Sequence, residues 1–414
     1  MPKRPLLPHA LVALVVALIT GACSSGGTIE ATTTTMAVAA PSSTSTSSTT
    51  SSTTSSTTTT TTTMPPSTLT IRGDIPRVLK RAAEQFYDHI IDPANQPPAM
   101  SPRLAEHVAG HMVDPGTFRG RASLATLENG DRVGVVVTGG DRLVFVDPAG
   151  GEEGWELVAA MLDGLPPWLG RGGQRNLLVL GSDARVGEDQ LNLRADSIHI
   201  LALRPRRGVG SLVGFPRDSW IEGSKLTDLM PGRGPEGMME ILEDTTGIDL
   251  EGYVAVGFEG FLGLMTDFGD LEIDLPTAMH SGNNWDDYPA GPQVLDPQLT
   301  LRLGRIRKGL PQGDFDRTVN QGRIILAALT MVQDRGLLYL PAWVASYSRH
   351  GFTDLDTEAL VTFAASAHVA DPDAITNMVL PGSVGWVGAA SVVFLGSGAE
   401  AVYADLADGV LGNG

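Results

Sequence analysis

Apolar and polar positions follow the most regular pattern in the second half of the chain. Short apolar runs with the length of buried strands occupy residues 176–180, 197–203, 211–215 and 253–258. Start and stop signals between and after them predict helices over 235–246, over 259–268, after Asp296-Pro297 and over 316–335. A helix after Asp356, strands near 375–380 and 391–395, and a closing helix from Ala399 complete the pattern. Strands that alternate with helices in this way predict an α/β layered fold.

A weaker pattern precedes this segment and predicts a small α+β accessory region over residues 71–170. Its signals are an amphipathic helix over 76–91 and two alternating stretches, 132–137 and 142–147, which predict a strand pair across Gly139-Gly140. No chemistry is indicated there. The sequence therefore divides into this region and a main domain over 171–414, which includes a C-terminal extension.

The first 23 residues have the pattern of a bacterial lipoprotein signal peptide. A basic start with Lys3 and Arg4 is followed by an apolar run at 10–19 and by small residues ahead of Cys23. Lipidation of Cys23 and an extracytoplasmic, lipid-anchored location follow as expectations, with simple secretion or an uncleaved anchor as alternatives. Because Cys23 is the only cysteine, disulfides and cysteine metal sites are excluded in the remainder.

Residues 24–70 are predicted to form a disordered tether. Positions 42–63 are exclusively Ser and Thr, and such a segment has no side chains with which to build a core. The tether would let the folded part work beside the membrane surface.

Charge adds a second constraint. The chain has 29 basic and 47 acidic residues, a formal charge of −18, which argues against nucleic acid as a partner. Against this background, residues 301–323 hold six basic and two acidic residues. A local reversal of this kind predicts an anionic ligand.

Two aspartates are placed to hold a divalent cation. Asp183 follows the strand predicted at 176–180, and Asp196 comes just before the next strand, so both are expected at one rim of the sheet. Two carboxylates are a common way to hold Mg²⁺, or Mn²⁺, while leaving positions for phosphate oxygens and water. A third predicted strand ends before Pro216, and the next residue, Arg217, is expected at the same rim.

The arginines of the basic segment suit a diphosphate. The planar guanidinium matches phosphate oxygens two at a time, and several arginines together neutralise charge on a phosphoryl leaving group. Arg305 and Arg307 stand two apart, which favours a loop, whereas Arg317 and Gln321 stand four apart on one helix face. The residues alone therefore indicate an anion site with a cation.

Taken in this order, residues 176–336 resemble the catalytic domain of the LytR-CpsA-Psr family. The resemblance is carried by the following strings: Asn176-Leu-Leu-Val-Leu-Gly-Ser-Asp183-Ala-Arg185, Arg194-Ala-Asp196-Ser, Pro216-Arg217-Asp218, Lys225-Leu, Tyr253-Val-Ala-Val-Gly-Phe-Glu-Gly-Phe261, Arg305-Ile-Arg307, and Gly313-Asp314-Phe-Asp316-Arg317 followed by Gln321. Their order and spacing together are more specific than any one string.

The resemblance implies an enzyme that works outside bacterial cells, at the outer face of the cytoplasmic membrane. It would transfer an anionic glycopolymer from a polyprenyl-pyrophosphate carrier to peptidoglycan through a phosphodiester. The implied fold is αβα with a mixed central sheet, and the lipid would lie in an apolar tunnel between the sheet and the helices.

The resemblance also assigns roles by position. Asp183 and Asp196 would hold Mg²⁺. The implied catalytic residues are Arg217, Arg305, Arg307 and Asp314. The implied pyrophosphate ligands are Arg185, Arg194, Lys225, Arg317 and Gln321.

Two other functions fit the same residues. Water in place of the acceptor hydroxyl would make the enzyme a pyrophosphatase that releases the polymer. A protein of a different class would hold wall polymer or polyprenyl pyrophosphate without turnover, and the accessory region at 71–170 favours that reading because catalysis alone does not explain it.

Overall fold

The computed structural model describes residues 68–73, 75–149, 154–185, 187–280, 287–407 and 411. These residues fall within one structural unit, Thr62–Gly414. The predicted signal peptide, its Cys23 and most of the predicted tether lie outside the described residues. The tether prediction, 24–70, extends too far, because a strand begins at Thr68.

The N-terminal part of the described chain is built on one sheet with two helices against it. Its strands are β1 Thr68–Arg72, β2 Ala99–Met100, β3 Thr117–Thr126, β4 Arg132–Thr138, β5 Asp141–Asp147, β6 Glu156–Met161 and β7 Trp168–Leu169. Its helices are α1 Arg77–Ile91 and α2 Pro102–Val108.

This first sheet has the strand order β1-β3-β4-β5-β6-β2, with β7 beside β6. The predicted strand pair is confirmed: β4 and β5 are antiparallel across the Gly139-Gly140 turn, where Gly139 has φ +44°. The predicted helix is α1, which buries Leu79, Ala83 and Phe86 against one face of the sheet. Their spacing of three and four residues gives α1 the apolar stripe that this packing needs.

The C-terminal part carries the remaining elements. Its strands are β8 Arg175–Ser182, β9 Ala195–Arg204, β10 Val209–Gly214, β11 Trp220–Ile221, β12 Ser224–Lys225, β13 Tyr253–Val256, β14 Leu271–Leu275, β15 Met279–His280, β16 Asp287–Tyr288, β17 Gly291–Leu295, β18 Phe352–Thr353, β19 Ile375–Val379, β20 Gly382–Val387 and β21 Ala390–Leu395. Its helices are α3 Leu226–Thr246, α4 Phe258–Phe268, α5 Pro297–Leu303, α6 Asp314–Asp334, α7 Leu340–His350, α8 Thr357–Val369 and α9 Ser397–Leu406.

The second sheet is mixed, as predicted, with the strand order β18-β13-β8-β9-β10-β19. β8 is parallel to β13 and antiparallel to β9, and β10 is antiparallel to β9 and parallel to β19. Helices α3 and α9 pack on one face, and α6 and α8 pack on the other. The predicted α/β layered fold is therefore confirmed, because both faces of this sheet are covered by helices.

The strand directions bring several chain ends to one rim of the second sheet. β8 ends where β9 begins, since Ser182 pairs with Ala195. β10 ends beside the start of β9, and β13, parallel to β8, ends at the same level. The predicted common rim for the segments that follow β8 and β10 and precede β9 is thus present.

Helix α8 lies between the two sheets. Val361, Ala364 and Ala365 pack with the first sheet, whereas Phe363 and Ala367 pack with the second. A helix that is apolar on opposite sides is expected in a core and not at a surface. One hydrophobic cluster therefore crosses the predicted division at residue 170, whereas the others lie wholly on one side of it.

Among the described residues, no single helix combines the length and hydropathy needed to cross a bilayer. The adjoining segments Asp314–Asp334 and Leu337–His350 reach those values only when taken together, and they meet at an angle of 105°.

Candidate active site

A cavity of about 390 Å³ lies between the second sheet and helices α4, α5 and α6. Its apolar wall consists of Val179, Leu180, Val256, Phe258, Phe261, Leu301, Ile306, Ile324 and Ile325. Its polar wall consists of Ser182, Asp196, Ser197, Arg217, Thr300, Arg305, Arg307, Lys308, Arg317 and Gln321. The cavity thus combines an apolar chamber with a cationic wall.

Asp196 organises two of the cavity's arginines. Its Oδ1 accepts a hydrogen bond from Arg217 Nη1 at 2.5 Å, and its Oδ2 lies 3.7 Å from Arg317 Nη1. Gln321 Nε2 donates to the backbone oxygens of Asp196, at 3.2 Å, and Gly304, at 3.1 Å. One carboxylate and one amide therefore fix the rim of the sheet to α6 and to the end of α5.

Asp314 and Arg317 form a second pair in the first turn of α6, between Asp314 Oδ1 and Arg317 Nη2. Both side chains are nearly buried, with 15% and 5% exposure. Burial raises the pKa of the Asp314 carboxyl, although Arg317 and Arg217 oppose this. Burial also lowers the pKa of Arg317, against the effect of Asp314. The ion pair therefore favours the charged form of both side chains, against the effect of burial.

Arg217 remains a strong cation. Burial disfavours its charge, but the ion pair with Asp196 outweighs this and raises the pKa of the guanidinium. The Nε atoms of Arg217 and Arg317 are buried and form no hydrogen bond with the residues that the structure describes. Both atoms are donors suited to a ligand oxygen.

Arg305 and Arg307 reach the cavity from the segment between α5 and α6, as the two-residue spacing predicted. The Arg305 guanidinium lies 4.7 Å from the centroid of the Phe258 ring. A cation over an aromatic face is held in orientation without losing its charge.

Three predicted pyrophosphate ligands are not part of the cavity wall. Arg194 Nε is 2.7 Å from Asp228 Oδ1, and Lys225 Nζ is 3.1 Å from Asp218 Oδ1.

Arg185 is exposed, and its backbone N–H donates to Glu188 Oε2 at 2.7 Å. Arg185 is not among the residues of the cavity wall. Proximity in sequence to a strand end was therefore an incomplete guide to placement.

Asp183 lies beside the cavity without lining it. Burial, and next the neighbouring carboxylate of Asp196, raise the pKa of Asp183. Two carboxylates that repel each other fit a small divalent cation, which takes one or two protein carboxylates and completes its shell with water and phosphate. Within the described ranges, no group of three or more His, Cys, Asp or Glu residues is placed to hold a metal.

Sequence reasoning missed Phe258 as a site residue. Its apolar run predicted a strand over 253–258, but the strand ends at Val256 and Phe258 begins α4. The glycine at 257, where a Cβ would lie 1.7 Å from Gln190 Oε1, is the signal that marks this change of direction. It places the Phe258 ring under Arg305.

Known proteins resemble this chain over its C-terminal part. The sequence model of the LytR_cpsA_psr family matches residues 169–404. "Cell wall biosynthesis protein LcpA" of Corynebacterium glutamicum is 30% identical over 155 residues, which cover 37% of this chain and 29% of the relative. "Polyisoprenyl-teichoic acid--peptidoglycan teichoic acid transferase TagV" of Bacillus subtilis is 26% identical over 167 residues, 37% of this chain and 42% of the relative.

Among solved structures, that of B. subtilis TagV has a TM-score of 0.49 and 21% identity, and covers 57% of this chain and 96% of that one. The chain thus spans less than half the length of the two curated relatives. The family match extends across more than half of this chain and includes every residue of the cavity wall. The chain therefore belongs to the LytR_cpsA_psr family.

Proposed function

We propose that this protein transfers an anionic glycopolymer from a polyprenyl-pyrophosphate carrier to peptidoglycan, forming a phosphodiester. The observation that carries the proposal is the cavity, because it joins an apolar chamber to a wall with four arginines and a lysine. A polyprenyl chain needs the first and a pyrophosphate the second. The names of the relatives, which include a polyisoprenyl-teichoic acid–peptidoglycan transferase, support the same class of reaction.

In the proposed reaction, an acceptor hydroxyl attacks the sugar-linked phosphorus, the bond from that phosphorus to the bridging oxygen breaks, and the hydroxyl proton ends on the polyprenyl phosphate that leaves. Polyprenyl phosphate leaves and carries the electron pair of that bond. Arg217 and Arg317 neutralise its growing charge through donors already fixed by Asp196 and Asp314. Arg305 and Arg307 hold the remaining phosphate oxygens. Asp314 acts as a positioning residue because it is buried beside Arg317 and does not line the cavity.

The proposed location is extracytoplasmic. A lipid on Cys23 and the Ser/Thr-rich segment would hold the catalytic part near the membrane that contains the carrier. Retention of the protein in the aqueous phase after detergent partition of cells, with Cys23 unmodified by mass spectrometry, would remove this part of the proposal.

Blocking the apolar chamber is expected to affect long carriers selectively. In a Leu301→Trp variant, the indole ring would fill space that a polyprenyl chain needs in the apolar chamber, whose wall also includes Ile324 and Ile325. We expect kcat/KM for a long polyprenyl pyrophosphate to fall about tenfold or more, the equivalent of about 1.4 kcal/mol of lost binding. For a short-chain analogue the change should be small.

Transfer of labelled polymer to peptidoglycan fragments, with both carriers, provides the measurement. Val294→Trp is the control, since Val294 is exposed and is not among the residues of the cavity wall. Equal losses on both carriers would contradict a lipid in this chamber, and polymer released without transfer would indicate hydrolysis.

We further propose that Asp183 and Asp196 hold Mg²⁺ or Mn²⁺ during turnover. The cation would offset negative charge on the pyrophosphate and relieve repulsion between the two carboxylates.

Chelation with EDTA is expected to lower the rate, and Mg²⁺ should restore it. Asp183→Asn should weaken Mg²⁺ binding about tenfold, because one of two charged ligands becomes neutral. Calorimetric titration of the protein with Mg²⁺ measures this without substrate, and Asp189→Asn, an exposed aspartate nearby in sequence, is the control. Unchanged Mg²⁺ affinity in Asp183→Asn would refute the assignment.

A further inference from the structure

A second recess lies on the first sheet and shares no residue with the candidate active site. Its volume is about 600 Å³, and Arg72, Arg119 and Arg121 line it together with Thr70, Thr117 and Val137. The recess lies before residue 169, where the match to the family begins. Nothing in the proposed transfer reaction uses it.

Strand register puts these arginines on one face. Thr70 is paired with Arg119 and Arg72 with Arg121 across β1 and β3, and Arg121 is paired with Val137 on β4. Val137 is paired in turn with Arg142 on β5. Paired residues on neighbouring strands point to the same side of a sheet. Arg72, Arg121 and Arg142 therefore form a row that spans about 14 Å, three interstrand spacings.

This face is open only at one end. Toward the middle of the molecule it is covered by the segment before α7, where Ser123 Oγ donates to the Leu338 oxygen at 2.5 Å. Beyond Arg121 the covering stops, and Arg72, Arg119, Arg121 and Arg142 are all exposed. Gly139 also lines the recess, and because it has no side chain and nothing lies within 4 Å of an added Cβ, the recess is open on that side.

The four arginines are not neutralised by their surroundings. Within the part of the chain that the structure describes, none of them forms an ion pair. The carboxylate of Asp163 lies beside Gly140, at the turn, and is not among the lining groups. In a chain with 47 acidic and 29 basic residues, four unpaired arginines on one small face are a local concentration of positive charge.

We propose that this recess is a second binding site, for an extended polyanionic glycan chain. Arginines spaced about 5 Å across strands and about 7 Å along β3 match a ligand that repeats its negative charges, and the threonine hydroxyls suit sugar oxygens. A concave site selects a chain over a planar bilayer, and the overall charge of −18 opposes an anionic membrane or nucleic acid. This proposal is independent of the proposed transfer reaction, because glycan binding at the recess needs neither the polyprenyl carrier nor the peptidoglycan acceptor.

The test is calorimetric titration of the full-length chain in detergent with three oligomers of matched length: oligo(glycerol phosphate), oligogalacturonate and neutral dextran. We expect both anionic oligomers to bind, more weakly as salt rises, and dextran not to bind. The double variant Arg119→Gln/Arg121→Gln should lose at least about tenfold in affinity, because two charge-assisted contacts disappear. Tighter binding of one anionic oligomer would support the proposal and identify phosphate or carboxylate as the preferred group.

The matched control is Arg81→Gln/Arg103→Gln. These exposed arginines lie on α1 and α2, which pack against the opposite face of the sheet, so the same charge is removed elsewhere. Circular dichroism checks that each variant is folded. The proposal is overturned if the Arg119→Gln/Arg121→Gln variant binds the anionic oligomers as tightly as the native chain, or if the control variant loses as much affinity. It is also overturned if the native chain binds phosphatidylglycerol vesicles in preference to both oligomers.

Discussion

Arg217→Ala is expected to lower the rate of polymer transfer about 1,000-fold or more. Preorganised donors that meet charge developing on a phosphoryl group contribute effects of this size. Arg217 meets the requirement because Asp196 fixes one of its nitrogens while its buried Nε has no hydrogen-bonding partner among the described residues. Arg217→Lys should recover only part of the rate, since a point charge replaces a planar fork. Transfer of labelled polymer under single-turnover conditions provides the measurement.

Arg185→Ala is the discriminating control. The sequence predicted both arginines as functional, but only Arg217 lines the cavity, and Arg185 is exposed on a loop. We expect the rate of Arg185→Ala to stay within about threefold of the native rate, as for other surface substitutions. Comparable losses in the two variants would show that the cavity does not define the site. Thermal unfolding of both proteins separates lost chemistry from lost fold.

Arg175→Ala should cause the largest loss of stability, about 3–5 kcal/mol. The side chain is 2% exposed, and its Nη2 donates to Glu251 Oε2 at 2.6 Å. Its Nη1 donates to the Leu169 oxygen at 2.9 Å and to Ser366 Oγ at 3.1 Å. Removal leaves a buried carboxylate and a buried carbonyl with fewer partners. Urea unfolding gives the change in free energy.

Arg171 offers a matched control for this prediction. Its Nε lies 3.3 Å from the other oxygen of Glu251, but the side chain is 52% exposed. We expect Arg171→Ala to cost less than about 1 kcal/mol, as exposed ion pairs do. The double variant Arg175→Met/Glu251→Leu should recover most of the stability, because no buried charge is left alone. Equal losses in the two single variants would mean that burial of Arg175 has no special energetic role.

The central sheet was predictable because its strands are continuous apolar runs. β8, β9 and β10 are covered by helices on both faces, so the sequence of each is a continuous apolar run and does not alternate between apolar and polar residues. β3 was missed for the opposite reason: Gly120 and Arg121 interrupt its apolar pattern, and the strand has one face that is open over part of its length. α7 was missed because Gly336 and Pro341 read as a stop, whereas the proline occupies the first turn of a new helix.

Nearness to a strand end predicted only part of the site. Asp196 and Arg217 meet at the rim because β9 and β10 are antiparallel neighbours. The same reasoning failed for Arg194, which directly precedes β9, because its side chain is paired with Asp228 and is not part of the cavity wall. The assignment of a metal to Asp183 and Asp196 stays a prediction.

The position of α8 bears on how the protein unfolds and on how it acquired its shape. Because the helix presents Val361 and Ala365 to one sheet and Phe363 and Ala367 to the other, loss of either sheet would expose an apolar surface on the same helix. We therefore expect denaturation to be cooperative across both sheets. In evolutionary terms, a form of this domain without the N-terminal sheet would need polar residues in place of Val361 and Ala365 on α8.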